Sequence, residues 1–540
     1  MKYTVIALSV CLSAVVVPHH SLAQSPGDMV GSTGMKVQQG GSIGDFITID
    51  QDGNLHAAWA SGNSSNMRVR YNYLANSDWA FGDTGVVIRN NNRDTYPQIA
   101  MHQDRMAIAS SKLQAYGESL FFAIETQPYS GIFNTYNPPC TIGEARMAWP
   151  HIAIDRNNRI HMASTQSGFY PGGLLAYSRS SDGGESWDPL QVVDSTMLQS
   201  ATIVTSRISD KVAIVYTQPY DSMLSSHFDV FYNQSQDGLS WDFLNGRVNI
   251  TDYGQYGDTL SAFVDLDAIY DFDDDLHIIW VARYRVSYEI SMVILYHYSI
   301  NTGTITEITR NYMPNIQYCY YTSYTMLSIN KMSMGVSEAG ALYTVYVKYD
   351  TLDCSSDDFA NGEIFLQYSQ DDGQSWSSPA SITNSPSPNC SRGQCADDGW
   401  PSLADIVGNY LHIIYTCYTH PEDPFGPIWQ GNVLYLTYPN PLTSTYSDPS
   451  VPEVFKINQN YPNPFNSSTT ISFELAHSSR ITLSVYNLLG QRMATLFEGI
   501  REAGQHKVVW KADGIPSAVY VARLTTADGR SRETRMLLVK

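Results

Sequence analysis

Ile47-Thr48-Ile49-Asp50, a short polar turn and then Leu55-His56-Ala57-Ala58-Trp59 form the stretch whose reading decides the fold. A short apolar strand meets a turn rich in Asp, Asn and Gly, and an alternating strand follows that ends in an aromatic. The unit returns as Ile152-Ala153-Ile154-Asp155 with Ile160-His161-Met162-Ala163, as Asp275-Leu276-His277-Ile278-Ile279-Trp280, and as Tyr410-Leu411-His412-Ile413-Ile414-Tyr415. Degenerate copies lie at Met106-Ala107-Ile108-Ala109, Val212-Ala213-Ile214-Val215-Tyr216 and Leu342-Tyr343-Thr344-Val345-Tyr346. The anchors Leu55, Met106, Ile160, Val212, Leu276, Leu342 and Leu411 stand 51, 54, 52, 64, 66 and 69 residues apart. Repeats of that length, made of short alternating strands, are the pattern of β-propeller blades. One four-stranded sheet cannot bury both faces, so blades must stack around an axis and close. The fold class expected is all-β: a propeller of seven blades, or six with one misread copy, followed by a small antiparallel β-sandwich.

Three copies carry a further signature upstream: Thr95-Tyr96-Pro97-Gln98-Ile99-Ala100, Ala148-Trp149-Pro150-His151-Ile152-Ala153 and Gly399-Trp400-Pro401-Ser402-Leu403-Ala404. Proline suits the first position of a strand, where its missing N–H is not needed. Residues just before it are expected at the channel mouth: Arg93, Asp94, Glu144, Arg146, Trp149, Asp397, Asp398 and Trp400. Charged groups beside an aromatic can bind a sugar or a peptide. Solvated loop charges around a buried aromatic are the competing reading.

Composition narrows the classes. The 540 residues are 43% hydrophobic and 12% aromatic, with 32 Lys+Arg against 52 Asp+Glu, a net charge of −20. That argues against disorder, coiled coils and binding of nucleic acid. The charge is also uneven. Residues 451–540 hold 11 Lys+Arg and 7 Asp+Glu, leaving 21 against 45 in residues 1–450.

The first residues carry Lys2, an apolar run from Val5 to Val17, and Ser21-Leu22-Ala23, the layout of a secretory signal peptide over 1–23 with cleavage after Ala23. That run is too short for a membrane span, and no transmembrane segment is expected. Cleavage removes Cys11 and leaves Cys140, Cys319, Cys354, Cys390, Cys395 and Cys417. Export permits up to three bridges, and their pairing is open. Cys390 and Cys395, five apart in a Pro/Ser/Asn/Gly loop, are the first bridge to expect.

Two hairpin turns share one eight-residue motif: Ser180-Ser181-Asp182-Gly183-Gly184-Glu185-Ser186-Trp187 and Ser369-Gln370-Asp371-Asp372-Gly373-Gln374-Ser375-Trp376. Ser235-Gln236-Asp237-Gly238-Leu239-Ser240-Trp241 is the same element one residue short. The motif resembles the Asp box, or bacterial neuraminidase repeat, of sialidase-like propellers. Its chemistry is that of a turn: Asp caps backbone N–H groups, Gly takes a positive φ and Trp buries its ring. The resemblance implies a structural role for these aspartates at the blade periphery.

Sialidases of that kind hold the substrate carboxylate with three arginines and use a tyrosine nucleophile, its partner glutamate and an aspartate acid/base. Their Arg-Ile-Pro triplet is missing here, and Arg68, Arg70, Arg93, Arg146, Arg283 and Arg285 show no spacing that singles out a triad. The resemblance therefore carries the fold and not the catalysis; no catalytic residue is assigned. A binding module for a glycan or protein is expected, with a diverged sialidase-like exo-glycoside hydrolase as the alternative. Asp265, Asp267, Asp271, Asp273, Asp274 and Asp275 raise calcium, but an EF-hand counted from Asp271 meets Leu276 and Ala282 where Gly and Glu are required. A solvated β-turn is expected instead, with no metal and no cofactor.

After Tyr438-Pro439-Asn440-Pro441, a Ser/Thr/Pro linker (439–452) precedes a last segment of 453–540, so the propeller is expected over 24–438. That segment contains Asn460-Tyr461-Pro462-Asn463-Pro464-Phe465-Asn466, Val485-Tyr486-Asn487-Leu488-Leu489-Gly490-Gln491, Val519-Tyr520-Val521-Ala522-Arg523-Leu524 and Met536-Leu537-Leu538-Val539-Lys540. Alternation between turns suits a small antiparallel sandwich. The segment resembles the C-terminal sorting domain of type IX secretion cargo, which overlaps with the FlgD Ig-like module. That resemblance implies the secretion machinery as partner and a secreted or cell-surface location.

Overall fold

The computed structural model describes residues 25–35, 38, 42–62, 66–75, 78–90, 93–114, 117–167, 173–196, 200–219, 227–254, 259–286, 289–312, 319, 327–420, 431–443, 455–475, 479–487, 491–501, 504–512, 514–526 and 531–540. The expected signal peptide and residues 444–452 of the expected linker lie outside them. The chain divides into two compact units, Met1–Asn440 and Pro441–Lys540.

The first unit is a seven-bladed β-propeller, each blade an antiparallel sheet whose strands succeed one another from the axis outward. Blade 1 is Ile47–Ile49, Leu55–Ser61, Arg68–Ala75 and Asp78–Trp79; blade 2 is Asp94–His102, Arg105–Gln114, Gly117–Glu125 and Phe133–Tyr136. Blade 3 is Ala145–Ile154, Ile160–Gln166, Gly173–Ser180 and Gln191–Thr196; blade 4 is Ala201–Thr205, Val212–Pro219, Phe228–Ser235 and Val248–Asn249. Blade 5 is Leu260–Tyr270, Leu276–Val286, Glu289–Ser299 and Thr304–Tyr312; blade 6 is Ile329–Val336, Leu342–Cys354, Ala360–Ser369 and Ala380–Ser381. Every anchor of the sequence repeat falls at the start of a second strand. That position is buried, for Leu55, Met106, Ile160 and Val212 in a core cluster shared with the preceding blade, which is why its apolar character persists where the rest of the repeat degenerates.

Blade 7 closes the ring. Its strands Asp397–Leu403, Tyr410–Tyr418 and Gly431–Pro439 are completed by Asp28–Thr33 from the other end of the unit, paired with the third strand through Met29↔Leu434 and Ser32↔Asn432. Gly31 is required there, because a Cβ would lie 2.2 Å from Cζ2 of Trp59. Core clusters run between blades: Val30, Trp59, Trp400 and Tyr435 join blades 7 and 1, and Ile108, Tyr71 and Phe121 join blades 1 and 2.

The Tyr-Pro and Trp-Pro signatures do not open their strands, contrary to the sequence expectation. They form bulges inside them. Register slips between Thr95 and Gln98, Ala148 and Pro150, and Gly399 and Ser402. Tyr96, Trp149 and Trp400 take positive φ of 57°, 45° and 54°, and Lys331 does the same in blade 6 at 51°. A bulge leaves one residue out of the ladder, so proline is tolerated there as it is at a strand end.

The second unit is a sandwich of a three-stranded sheet, Phe455–Ile457, Ser468–Leu475 and Gly504–Lys511, and a four-stranded one, Arg492–Arg501, Ser479–Asn487, Ala518–Thr526 and Ser531–Leu538. Phe465, Phe473, Leu483, Trp510, Tyr520, Leu524 and Leu538 fill the space between them. Among the described residues no helix is long and apolar enough to cross a membrane.

Candidate functional site

The three Asp-box turns share one geometry. Asp182 Oδ1 accepts the Ser186 N–H at 2.9 Å and the Ser180 hydroxyl at 2.9 Å; Asp371 does the same with Ser375 at 2.9 Å and Ser369 at 2.8 Å. Asp237 Oδ1 accepts from Leu239 at 2.8 Å and Ser240 at 2.7 Å. Those bonds hold all three carboxyls below the usual range; for Asp237 the backbone N–H groups of Ser240 and Leu239 are the main cause. Gly184 and Gly373 have φ of 93° and 76°, and Trp187 and Trp376 donate to their carbonyls at 3.0 and 3.1 Å. Each tryptophan reaches back to the preceding blade: Trp187 onto Phe122, Trp376 onto His297 and Trp241 onto Tyr177. The boxes stitch blades together.

Of the four repeated histidines, His56, His161 and His277 are buried with partners at both ring nitrogens, and His412 is half-buried with Nδ1 2.6 Å from the Tyr435 hydroxyl. His56 lies 3.1 Å from Asp50 Oδ2 and 2.7 Å from the Tyr71 hydroxyl; His161 lies 3.1 Å from Asp155 Oδ2 and 2.8 Å from the Tyr177 hydroxyl. In blade 5, His277 bridges Asp271 at 3.4 Å and His297 at 3.0 Å. The other oxygen of each aspartate closes the turn, accepting the N–H of Asn54 at 2.8 Å, Arg159 at 2.9 Å and Asp275 at 2.7 Å. Desolvation pushes His56 and His161 below their ordinary 6.5. Against desolvation, the hydrogen bonds hold Asp50 and Asp155 down at about 2. Asp271 and Asp275 are therefore buried, and the solvated turn expected there is corrected: the local alternation did not reveal that the turn folds back onto His277.

At the upstream ends of the inner strands, the predicted mouth residues split into two groups. Asp94 is buried with Arg89 Nη2 at 2.5 Å, and Arg89 lies 4.2 Å over the Phe121 ring. Asp397 accepts the Gly362 N–H at 2.9 Å. Asp398 accepts the hydroxyls of Ser25 and Ser385, both at 2.6 Å, and burial pushes its carboxyl up to about 6. Trp149 and Trp400 are 4% and 7% exposed, within the packing of the blades. Arg93, Glu144 and Arg146 are exposed. Two groups absent from the sequence reading of the mouth join Trp400: Lys331 Nζ sits 4.4 Å over its ring and 2.7 Å from Asp265. Lys331 stands at the bulge position of Trp149 and Trp400, a correspondence hidden by the lack of a following proline. Arg283 is buried 4.2 Å over Phe263, and burial with Arg285 nearby pushes it down to about 9.

The downstream ends of the inner strands line an axial cavity of about 250 Å³, on the side of the Asp boxes. Its charged residues are Asp45, Asp267, Asp405 and Arg207, with Arg207 Nη2 at 2.7 Å from Asp405. Asp267 accepts the N–H groups of Met334 and Ala268, each at 2.8 Å, yet burial pushes it up to about 7. Burial, then Asp405 and Asp267, raise Asp45 well above the usual carboxylate range, against Arg207. Among the described residues no group of three or more His, Cys, Asp or Glu could hold a metal ion. Disulfides join Cys390 to Cys395 and Cys319 to Cys354.

In the C-terminal unit, the Asn460–Phe465 stretch latches the last strand. Asn463 Oδ1 accepts the Leu537 N–H at 2.8 Å, the Phe465 N–H donates to the Leu537 carbonyl at 2.9 Å, and the Phe465 carbonyl accepts the Val539 N–H at 2.8 Å.

No curated protein matches the chain by sequence. Among solved structures, a polysaccharide lyase of family PL25, an ulvan lyase, aligns at 10% identity with a TM-score of 0.51, covering 77% of this chain and 96% of that one. An α-L-arabinanase from Penicillium chrysogenum aligns at 11% identity and a TM-score of 0.40, covering 77% and 98%, and a Hadza microbial sialidase at 10% and 0.34, covering 69% and 74%. At such identity the lyase likeness speaks for the fold alone. Residues 459–539 match the secretion system C-terminal sorting domain family. A propeller of the architecture seen in glycan-processing enzymes is thus joined in one chain to a segment of the sorting-domain family.

Proposed function

We propose that this is an exported propeller that binds a glycan or protein ligand without transforming it, handed to the outside by the type IX secretion machinery through its C-terminal unit. The observation that carries the reading is the state of the three mouth aspartates. Asp94, Asp397 and Asp398 are buried and taken by Arg89, the Gly362 N–H and two serine hydroxyls, so they serve the blades rather than proton transfer to a ligand. Geometry comes first for a general acid or base, and these groups lack access. Ligand contact falls to Arg93, Glu144 and Arg146, exposed beside them. Binding on a glycan array, weakened together in Arg93→Ala and Arg146→Ala with the fold intact, tests this.

A second reading, a diverged glycoside hydrolase, draws on Asp267. A carboxyl holding its proton near neutral pH inside an axial cavity has the property of a general acid. Sugar release from sialosides or arabinan that is abolished by Asp267→Asn would favour it.

A further inference from the structure

The axial cavity lies at the opposite end of the inner strands from Arg93, Glu144 and Arg146, and its lining comes from all seven blades. Contacts between blades that are not neighbours in the ring shape it into a cup. On its upstream side Ser42, ahead of blade 1, donates to the Val264 carbonyl of blade 5 at 3.4 Å, and Ser200, ahead of blade 4, donates to the same oxygen at 2.7 Å. All three residues are buried, and together they floor the cup. At the downstream rim Arg207, just beyond the first strand of blade 4, reaches across to Asp405 of blade 7, with side chains 30% and 41% exposed. The rim is open to solvent.

Three carboxyls line this cup against one guanidinium: Asp45 ahead of blade 1, Asp267 in blade 5 and Asp405 in blade 7. Blades 2, 3 and 6 add only apolar residues to the lining, and the hydroxyl of Tyr270, its remaining titratable group, accepts from Gln234 at 2.6 Å. Arg207 is taken by Asp405, so Asp45 and Asp267 are left without a cation. The Asp45 carboxyl makes no hydrogen bond among the described residues. Burial and the nearby Asp405 raise both groups above the usual carboxylate range. Thr202 of blade 4 also lines the cup and is only 5% exposed, and its hydroxyl makes no hydrogen bond among the described residues. A polar side chain so enclosed and without a partner marks a position that a bound polar group satisfies.

We propose that the cup binds a primary ammonium carried on a small polar molecule, with the Asp45 and Asp267 carboxylates and the Thr202 hydroxyl as its acceptors. An ammonium has three N–H donors and no acceptor, which matches these three groups in number and kind. A bare metal ion fits less well. A volume of about 250 Å³ is several times the roughly 30 Å³ share of one water, and the described carboxyls form no group that could hold a metal. The inference does not rest on the ligand proposed for the mouth, and it gives Asp267 a task other than that of a general acid. As the cation enters, the carboxyl it meets releases its proton to solvent and stays behind as the paired carboxylate. Binding therefore strengthens as pH rises, until Asp267 is ionised without help at about 7. Amino sugars and lysine side chains both carry this chemistry.

The test titrates the purified full chain by calorimetry with glucamine and with N-acetyl-lysinamide, at pH 5, 6 and 8, beside their uncharged counterparts sorbitol and N-acetyl-norleucinamide. At least one amine is expected to bind and neither counterpart, with affinity about tenfold weaker at pH 5 than at pH 6 for each proton released, levelling above pH 7. Binding of glucamine alone assigns the ammonium to a sugar, binding of the lysinamide alone to a protein, and binding of both to the ammonium by itself; each supports the site. Asp267→Asn and Asp45→Asn are each expected to weaken binding at pH 8 by about tenfold or more. Should Asp267→Asn fail to fold, Asp45→Asn, which breaks no hydrogen bond among the described residues, decides together with the proton release read from the heat in two buffers. No binding of either amine, equal binding of a counterpart, an affinity independent of pH, or undiminished binding in Asp45→Asn overturns the proposal.

Discussion

His161 Nε2 stands 3.1 Å from Asp155 Oδ2 in blade 3, and His56 stands at the same 3.1 Å from Asp50 Oδ2 in blade 1. Identical spacing in two blades, each with a tyrosine hydroxyl on the second ring nitrogen, makes the trio a fastener of the repeat rather than a reactive centre. It ties the first turn to the third strand. His161→Ala would leave a cavity and take a partner from the Tyr177 hydroxyl and from Asp155, which keeps Arg159, and is expected to cost about 3 kcal/mol, read by denaturant unfolding.

Acid should loosen these fasteners in a set order. His161 titrates below its ordinary 6.5 in the folded state, so the folded form binds fewer protons than the unfolded chain. Its contribution is complete above pH 6.5 and is lost as pH falls below it. Asp155, held at about 2, contributes fully above its ordinary 3.8 and fails only as pH drops through 2. Stability followed from pH 7 to pH 4 should therefore decline, and the decline should be shallower in His161→Phe.

Asp267 has the opposite sign. Raised from 3.8 to about 7, it favours the folded state when protonated, and that stability disappears as pH rises from 3.8 to 7. Relative to Asp267→Asn, the native chain should lose about 1.4 kcal/mol per pH unit across that window. Unfolding midpoints at pH 4.5 and pH 8 check this; an unchanged gap between the two proteins would remove the axial proton from the account.

The Asp-box tryptophans should matter for stability and not for ligand binding. Trp376 packs on His297 of the preceding blade and donates to Gly373 O. Trp376→Ala is expected to cost about 3–5 kcal/mol and to open the seam between blades 5 and 6 to proteolysis, while binding per folded molecule stays unchanged.

Export should depend on the latch in the C-terminal unit. Asn463→Ala removes the side-chain acceptor of the Leu537 N–H and weakens the latch on the final strand, which keeps its pairing with Ala518–Thr526. Cell fractionation should find less of this variant outside the cell, with its propeller folded.

Much of this architecture was legible in local sequence. Seven anchors became seven second strands because each is buried, so its apolar identity is dictated by position. The Asp boxes were legible for a similar reason: Ser180, Asp182, Gly184 and Trp187 satisfy one another within a single turn. What stayed hidden depends on residues far apart in the chain. Lys331 and Asp265 meet over Trp400 from three blades, Cys319 finds Cys354 across 35 residues, and Asp45, Asp267 and Asp405 share a cavity only once the ring closes. The mouth residues illustrate both sides: Trp149 and Trp400 were rightly grouped by their prolines, but the bulge that turns them into the blade packing has no composition of its own.

Binding without turnover is the central proposal, and it has a direct measurement. The protein from Gln24 onward is incubated with sialosides, arabinan and uronate-containing polysaccharides, products are quantified, and glycan-array binding is recorded alongside. Saturable binding that weakens in Arg93→Ala and Arg146→Ala, with no product above a buffer control, is expected. Product formation that vanishes in Asp267→Asn would contradict it.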